Sequence, residues 1–154
     1  MACALAAACL AGCSAGTGGT DRGSGAGWPN AGQARAQLTA KYGYSFSHVG
    51  SSWEVMKGGL SIDLADQDDF VDTMGLTVYS APYASYTTDI DHVFSVIAPA
   101  AQDWAHQQLA ASDQTDRLNT QTVIAGGTVK FSWDKSVPVL SFTFWGNARP
   151  RQSS

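Results

Sequence analysis

The sequence predicts an α+β domain: an antiparallel sheet of about six to seven strands with one long and one short helix packed on one face. Three observations predict it. Apolar residues recur at a period of two in runs separated by glycine pairs, Gly58-Gly59 and Gly126-Gly127, whose tolerance of positive φ suits tight hairpins. Two other stretches, Asn30 to Gly43 and Thr88 to Ala105, carry apolar residues at helical spacing. Near the end of the chain, Val129, Phe131 and Trp133, like Leu140, Phe142 and Phe144, share one face, with Lys130, Ser132, Ser141 and Thr143 opposite. That division is expected of an antiparallel sheet covered by helices on one side.

The elements follow in order. Asn30 and Gln33 have capping-box spacing, Ala34, Leu38 and Tyr42 lie on or near one stripe, and Gly43 suits a left-handed C-cap, giving the short helix. Tyr44, Phe46 and His48 then alternate with serines, Trp53 and Val55 follow, and Gly58-Gly59 turns the chain into Leu60, Ile62 and Leu64. Gly75 to Ser80 adds a strand presenting Leu76 and Val78. In the long helix Ile90, Val93, Phe94, Ile97, Ala101, Trp104 and Ala105 keep register, with Thr88 and Asp91 as a second capping box. Pro99 falls inside it. The unbroken stripe favours one kinked helix, with a strand over Val93 to Ile97 followed by a helix from Pro99 as the alternative. Leu118 to Ala125, Thr128 to Trp133 and Val139 to Trp145 complete the sheet, the last entered from a turn at Asp134-Lys135-Ser136.

Ahead of this domain, assigned to residues 30–146, the composition changes twice. Residues 1–12 carry no charge and are mostly Ala, Leu and Cys, an apolar segment too short to span a bilayer and suited to a secretory signal. It ends in Leu10-Ala11-Gly12-Cys13. This stretch resembles the lipobox of bacterial lipoproteins, in which the cysteine thiol receives a diacylglycerol and the amine freed by cleavage is acylated. Cys9 follows Ala6-Ala7-Ala8 and lacks the equivalent leucine, so the resemblance selects Cys13 as the lipidated residue. Met1-Ala2-Cys3 offers no Lys or Arg, and a basic leader before Met1 is expected. Residues 13–29 form the lipidated cysteine and a Gly/Ser/Thr linker with little to bury. Its segment Ser14 to Gly27 has a flexible-chain reach of about 20 Å. Gly16 to Gly19 is not a phosphate loop, since no Gly-Lys-Ser/Thr follows. Residues 147–154 are expected to be a frayed tail.

Charge and cysteine usage restrict the function classes. The formal net charge of −4 provides no basic stripe for nucleic acid. The 3 cysteines are Cys3, Cys9 and Cys13, so the folded domain has no disulfide or thiol chemistry and rests on its apolar core. Gly-x-Ser-x-Gly and His-Glu-x-x-His are absent, Glu54 is the only glutamate, and His92 and His106 lie too far apart on one helix to share a metal ion. Asp103 and His106 have the spacing of a solvated helix pair. Asp66, Asp68, Asp69 and Asp72, with Asp63, form an acidic run that offers weak calcium ligands. It lacks the central glycine and terminal glutamate of an EF-hand loop, and a solvated connection is the expectation. Trp145, set opposite Phe142 and Phe144 and near Tyr79 if the strands pair suitably, is the candidate for stacking on a ligand or anchoring a partner.

The expected function is a lipid-anchored, non-enzymatic protein-binding module of the bacterial envelope, of the adaptor, inhibitor or immunity type, with no cofactor. The resemblance places it on the periplasmic face of the outer membrane in a Gram-negative host or the extracellular face of the cell membrane in a Gram-positive one. The alternative is a small-ligand or glycan binder using an exposed aromatic on the sheet; an enzyme ranks last.

Overall fold

The computed structural model describes residues 28–65, 74–79 and 82–146. They form an α+β domain with a seven-stranded, wholly antiparallel sheet. The elements are α1 (Ala31–Tyr42), β1 (Ser47–Val49), β2 (Ser52–Lys57), β3 (Leu60–Ala65), β4 (Met74–Val78), α2 (Thr87–Ile97), α3 (Gln102–Ser112), β5 (Arg117–Ile124), β6 (Gly127–Asp134) and β7 (Val139–Gly146). The strand order is β1-β2-β3-β4-β7-β6-β5, so an N-terminal and a C-terminal meander meet where β4 pairs with β7. No helix among the described residues is long and apolar enough to cross a membrane.

Register lines the apolar residues into cross-strand rows. Val55, Ile62, Leu76, Phe142 and Phe131 stand side by side, as do Leu64, Met74, Phe144 and Val129. All but Val55 are fully buried. Such rows are where a sheet gains most of its packing energy. Phe94 of α2 sits over the β4–β7 junction, its ring 5.0 Å from those of both Phe142 and Phe144. The opposite face carries Asp63, Thr77, Ser141, Thr143, Lys130 and Ser132, all half-buried.

Helix α1 is capped as its sequence requires: Asn30 Oδ1 accepts from the Gln33 N–H, the Gln33 side chain accepts from the Asn30 N–H, and Gly43 takes φ 72°. The long helix is different. It is two helices, because Ala98, at φ −143° and ψ 61°, takes the extended φ imposed on a residue before proline. Pro99 then opens a 3-10 turn, Pro99–Ala101, where its missing N–H costs nothing, and α3 follows. The interruption is about one turn long, so the apolar stripe keeps facing the sheet. Thr88 and Asp91 form no cap box: the chain enters α2 from a 3-10 turn at Tyr83–Tyr86, and Thr87 Oγ1 donates to the Ala84 carbonyl.

Tyr44 and Phe46, expected in the first strand, precede it; that edge strand has three residues and turns at Gly50, φ 60°. The domain also begins earlier than its first helix cap. Trp28, assigned to the linker, is 8% exposed, packs edge-on against Phe144 at 6.0 Å, and lies over Gly126 and Gly127. The glycine pair is thus a turn and a seat for an indole; Ala125 and Gly126 make the turn, and Gly127 already pairs with Ile124.

Candidate functional site

The two ends of the sheet differ. One end gathers Trp28, the turn at Gly50-Ser51 and the hairpin tip at Ala125-Gly126. At the other, a cleft of about 670 Å³ opens between the Tyr83–Tyr86 turn, the C-terminal end of α3 and the β6–β7 turn. The alternation of β6 puts Trp133 on the covered face, where its indole N–H donates to the Thr115 carbonyl at 3.1 Å and fixes the ring. Tyr83 meets it edge-on, with centroids 4.9 Å apart and an interplanar angle of 81°. Leu109, Pro82 and Pro138 add apolar wall. A volume in the hundreds of Å³, mostly apolar and bearing a few polar groups, suits a small ligand.

The polar groups have a clear distribution. The Tyr83 hydroxyl is buried and has no hydrogen-bond partner, and burial raises its pKa. Such a group is costly to leave unmet, and a small rotation of the ring toward the cleft would let a bound ligand donate to it or accept from it. Asp113, which closes α3, stands at the mouth where the helix presents its carbonyls. The carboxylate and the negative end of the helix both favour a cationic or hydrogen-bond-donating group there. Beyond it the rim is tied by ion pairs, Asp116 with Lys135 at 2.9 Å and Asp134 with Arg117 at 2.6 Å. The Asp134 carboxyl is held down at about 2, chiefly by the Ser136 hydroxyl and N–H and then by Arg117.

No histidine lines this cleft. His48 tilts against Trp53, and His92 stacks on Tyr42 at 3.8 Å. His106 pairs across helices with Asp91 at 2.8 Å, where Gln102 also donates, and this contact replaces the expected pair with Asp103. The break at Ala98 to Ala101 brings Asp91 within reach of α3.

A second polar cluster was invisible in the sequence. The Tyr44 hydroxyl donates to Asp89 Oδ1 at 2.5 Å, Lys57 Nζ donates to the same oxygen at 2.9 Å, and His92 Nδ1 lies 3.4 Å from the hydroxyl. Burial, then the Asp89 carboxylate, drives the Tyr44 pKa far up. Burial pushes Asp89 up too, but the bonds from Tyr44 and Lys57 outweigh it and hold the carboxyl below its ordinary range. The chemistry of this cluster is that of a clamp: it joins the end of α1 to β2 and to the first turn of α2.

The residues that the sequence singles out do not converge. Trp145 is 38% exposed and Tyr79 51% exposed, but at opposite ends of the sheet. Tyr79 follows Val78, which faces Leu140, and the five residues of β7 from there to Trp145 span about 17 Å. Cys13, Asp66, Asp68, Asp69 and Asp72 lie outside the described residues, among which no group of three potential metal ligands occurs. The sequence does not mark Tyr83, Leu109 and Asp113, because their turn and helix end have no signature in common; Trp133 lies on the covered face that the sequence assigns it and lines the cleft as well. No protein-family model, curated protein or solved structure matches the chain.

Proposed function

We propose that this chain is a lipid-anchored, non-enzymatic binding domain of the bacterial envelope whose distal cleft holds a small, flat, largely apolar ligand. The observation that carries the ligand reading is the unpartnered Tyr83 hydroxyl just behind the wall of a cleft that Trp133 and Leu109 line. The ligand carries a ring for the two aromatics, one hydrogen-bonding group for Tyr83, and a donor or cationic group toward Asp113. The anchor reading rests on the resemblance of Leu10 to Cys13 to a lipobox.

Titration with N-phenyl-1-naphthylamine, a neutral flat probe with one N–H donor, tests the cleft. Saturable fluorescence enhancement that a Leu109→Trp substitution abolishes, with the fold retained by circular dichroism, is the expected outcome. Equal binding by both proteins defeats the reading.

A second reading keeps the protein-partner expectation. Its support is the polar sheet face, which no described helix covers and where Trp145 stands partly exposed. Substituting Trp145 would then abolish partner capture and leave probe binding unchanged.

A further inference from the structure

We infer that the end of the sheet bearing Trp28 rests directly on the membrane, with Val123 and Trp145 at the lipid interface and the cleft directed away from it. The inference rests on the proposed lipidation of Cys13. The first argument is reach. The connecting chain, Ser14 to Gly27, arrives at Trp28, which is fixed on the β5–β6 hairpin tip. A chain of that length has a root-mean-square span of about 20 Å, no longer than an eight-residue strand, which runs about 26 Å. On average the hairpin tip is therefore nearer the bilayer than the Tyr83 end.

The second argument is what that end displays. Val123, Thr128 and Trp145 form one cross-strand row at the hairpin tip, and Val49 ends β1 at the same level of the sheet. Val123 is 72% exposed, Val49 51% and Trp145 38%. Half of the large apolar side chains exposed among the described residues thus stand at the tethered end. Tryptophan in particular favours the boundary between hydrocarbon and headgroups, where its ring is buried and its N–H is hydrated. Charge does not drive the contact. In the sequence Asp66, Asp68, Asp69 and Asp72 follow β3, and Arg149 and Arg151 follow β7. The contact is therefore driven by apolar burial, and added salt does not release it.

The test uses the full, lipidated chain in vesicles of phosphatidylethanolamine and phosphatidylglycerol at three to one. The sequence has no cysteine after Cys13, so Val123→Cys and Val137→Cys each give one site for an environment-sensitive fluorophore. The expected result is a blue-shifted emission at position 123, quenched by doxyl-labelled lipid at low and high salt, with position 137 water-like and unquenched. Emission at 123 that matches 137 overturns the inference. So does a blue shift that doxyl lipid leaves unquenched, which would mean that a second copy or another protein covers Val123. Mass spectrometry of the N-terminus separates the two failures: with acylated Cys13 the orientation alone is wrong, whereas an unmodified Cys13 and a protein that does not float with vesicles defeat the anchor and the orientation together.

Discussion

Trp28 occupies the space that a side chain at Gly126 would need: a Cβ on Gly126 would lie 2.2 Å from the indole Cδ1, and the glycine holds φ 97°. Steric exclusion and backbone conformation therefore select the same residue. Gly126→Ala is expected to destabilise the domain by about 2–3 kcal/mol, as overpacking does, and Trp28→Ala by about 3 kcal/mol. In the Trp28→Ala background the clash is gone, so Gly126→Ala should cost clearly less. Urea melts of the four proteins in a double-mutant cycle measure the difference; strict additivity would show that the seat is not energetically real.

Tyr83→Phe separates stability from binding. Removing an unpartnered buried hydroxyl should leave the fold as stable or more stable by about 1 kcal/mol, while weakening any ligand that bonds to it. Thermal melts and probe titrations on the same samples decide this, and a fall in stability would mean that the hydroxyl has a partner in the folded protein.

Asp89 gives the domain an acid-sensitive element. Its folded pKa lies below the ordinary 3.8, so the unfolded chain binds the proton more readily. The stability it contributes is fully present above that value and is lost as pH falls through the folded pKa. Because Lys57 is 63% exposed, its charge is screened, and the bond from Tyr44 carries most of the effect. Asp89→Asn should cost about 2 kcal/mol at neutral pH and flatten the decline below pH 4 in urea melts. An unchanged acid limb would assign the decline to other carboxylates.

Cys13→Ser tests the anchor by itself. The variant is expected in the soluble fraction of lysed cells, with no acyl mass on its N-terminal peptide. Retention in the membrane pellet would count against the lipobox reading.

Much of the sheet was legible because period-two runs such as Val129-Phe131-Trp133 and Leu140-Phe142-Phe144 can bury one face only as strands, and the Asn30–Gln33 cap is a local signature. Pro99 was ambiguous for a definite reason: an interruption of about one turn restores the apolar stripe, so the pattern of a kinked helix and that of two helices coincide. Trp28 was lost to the linker because its contacts are with a hairpin at the far end of the chain. The cleft and the Tyr44–Asp89 clamp depend on residues remote in sequence that only the packed fold brings together. Trp145 and Tyr79 illustrate the converse. Trp145 lies on β7 and Tyr79 just past the neighbouring β4, and only the register shows that they stand at opposite ends of the sheet.

The pairing of β4 with β7 sets an order of events. The strands β1 to β4 can zip as they emerge, each onto its predecessor, and so can β5 to β7, but the junction under Phe94 closes only after the last strand is made. Contacts between residues so distant in sequence form slowly. Until then the N-terminal meander exposes the inner edge of β4 and the apolar face of Leu76 and Met74, and Trp28 has no Phe144 to pack against. A chain that ends before β7 leaves the edge of β4 unpaired, open to proteases and to edge-to-edge aggregation, so the last strand is the one that closes the sheet.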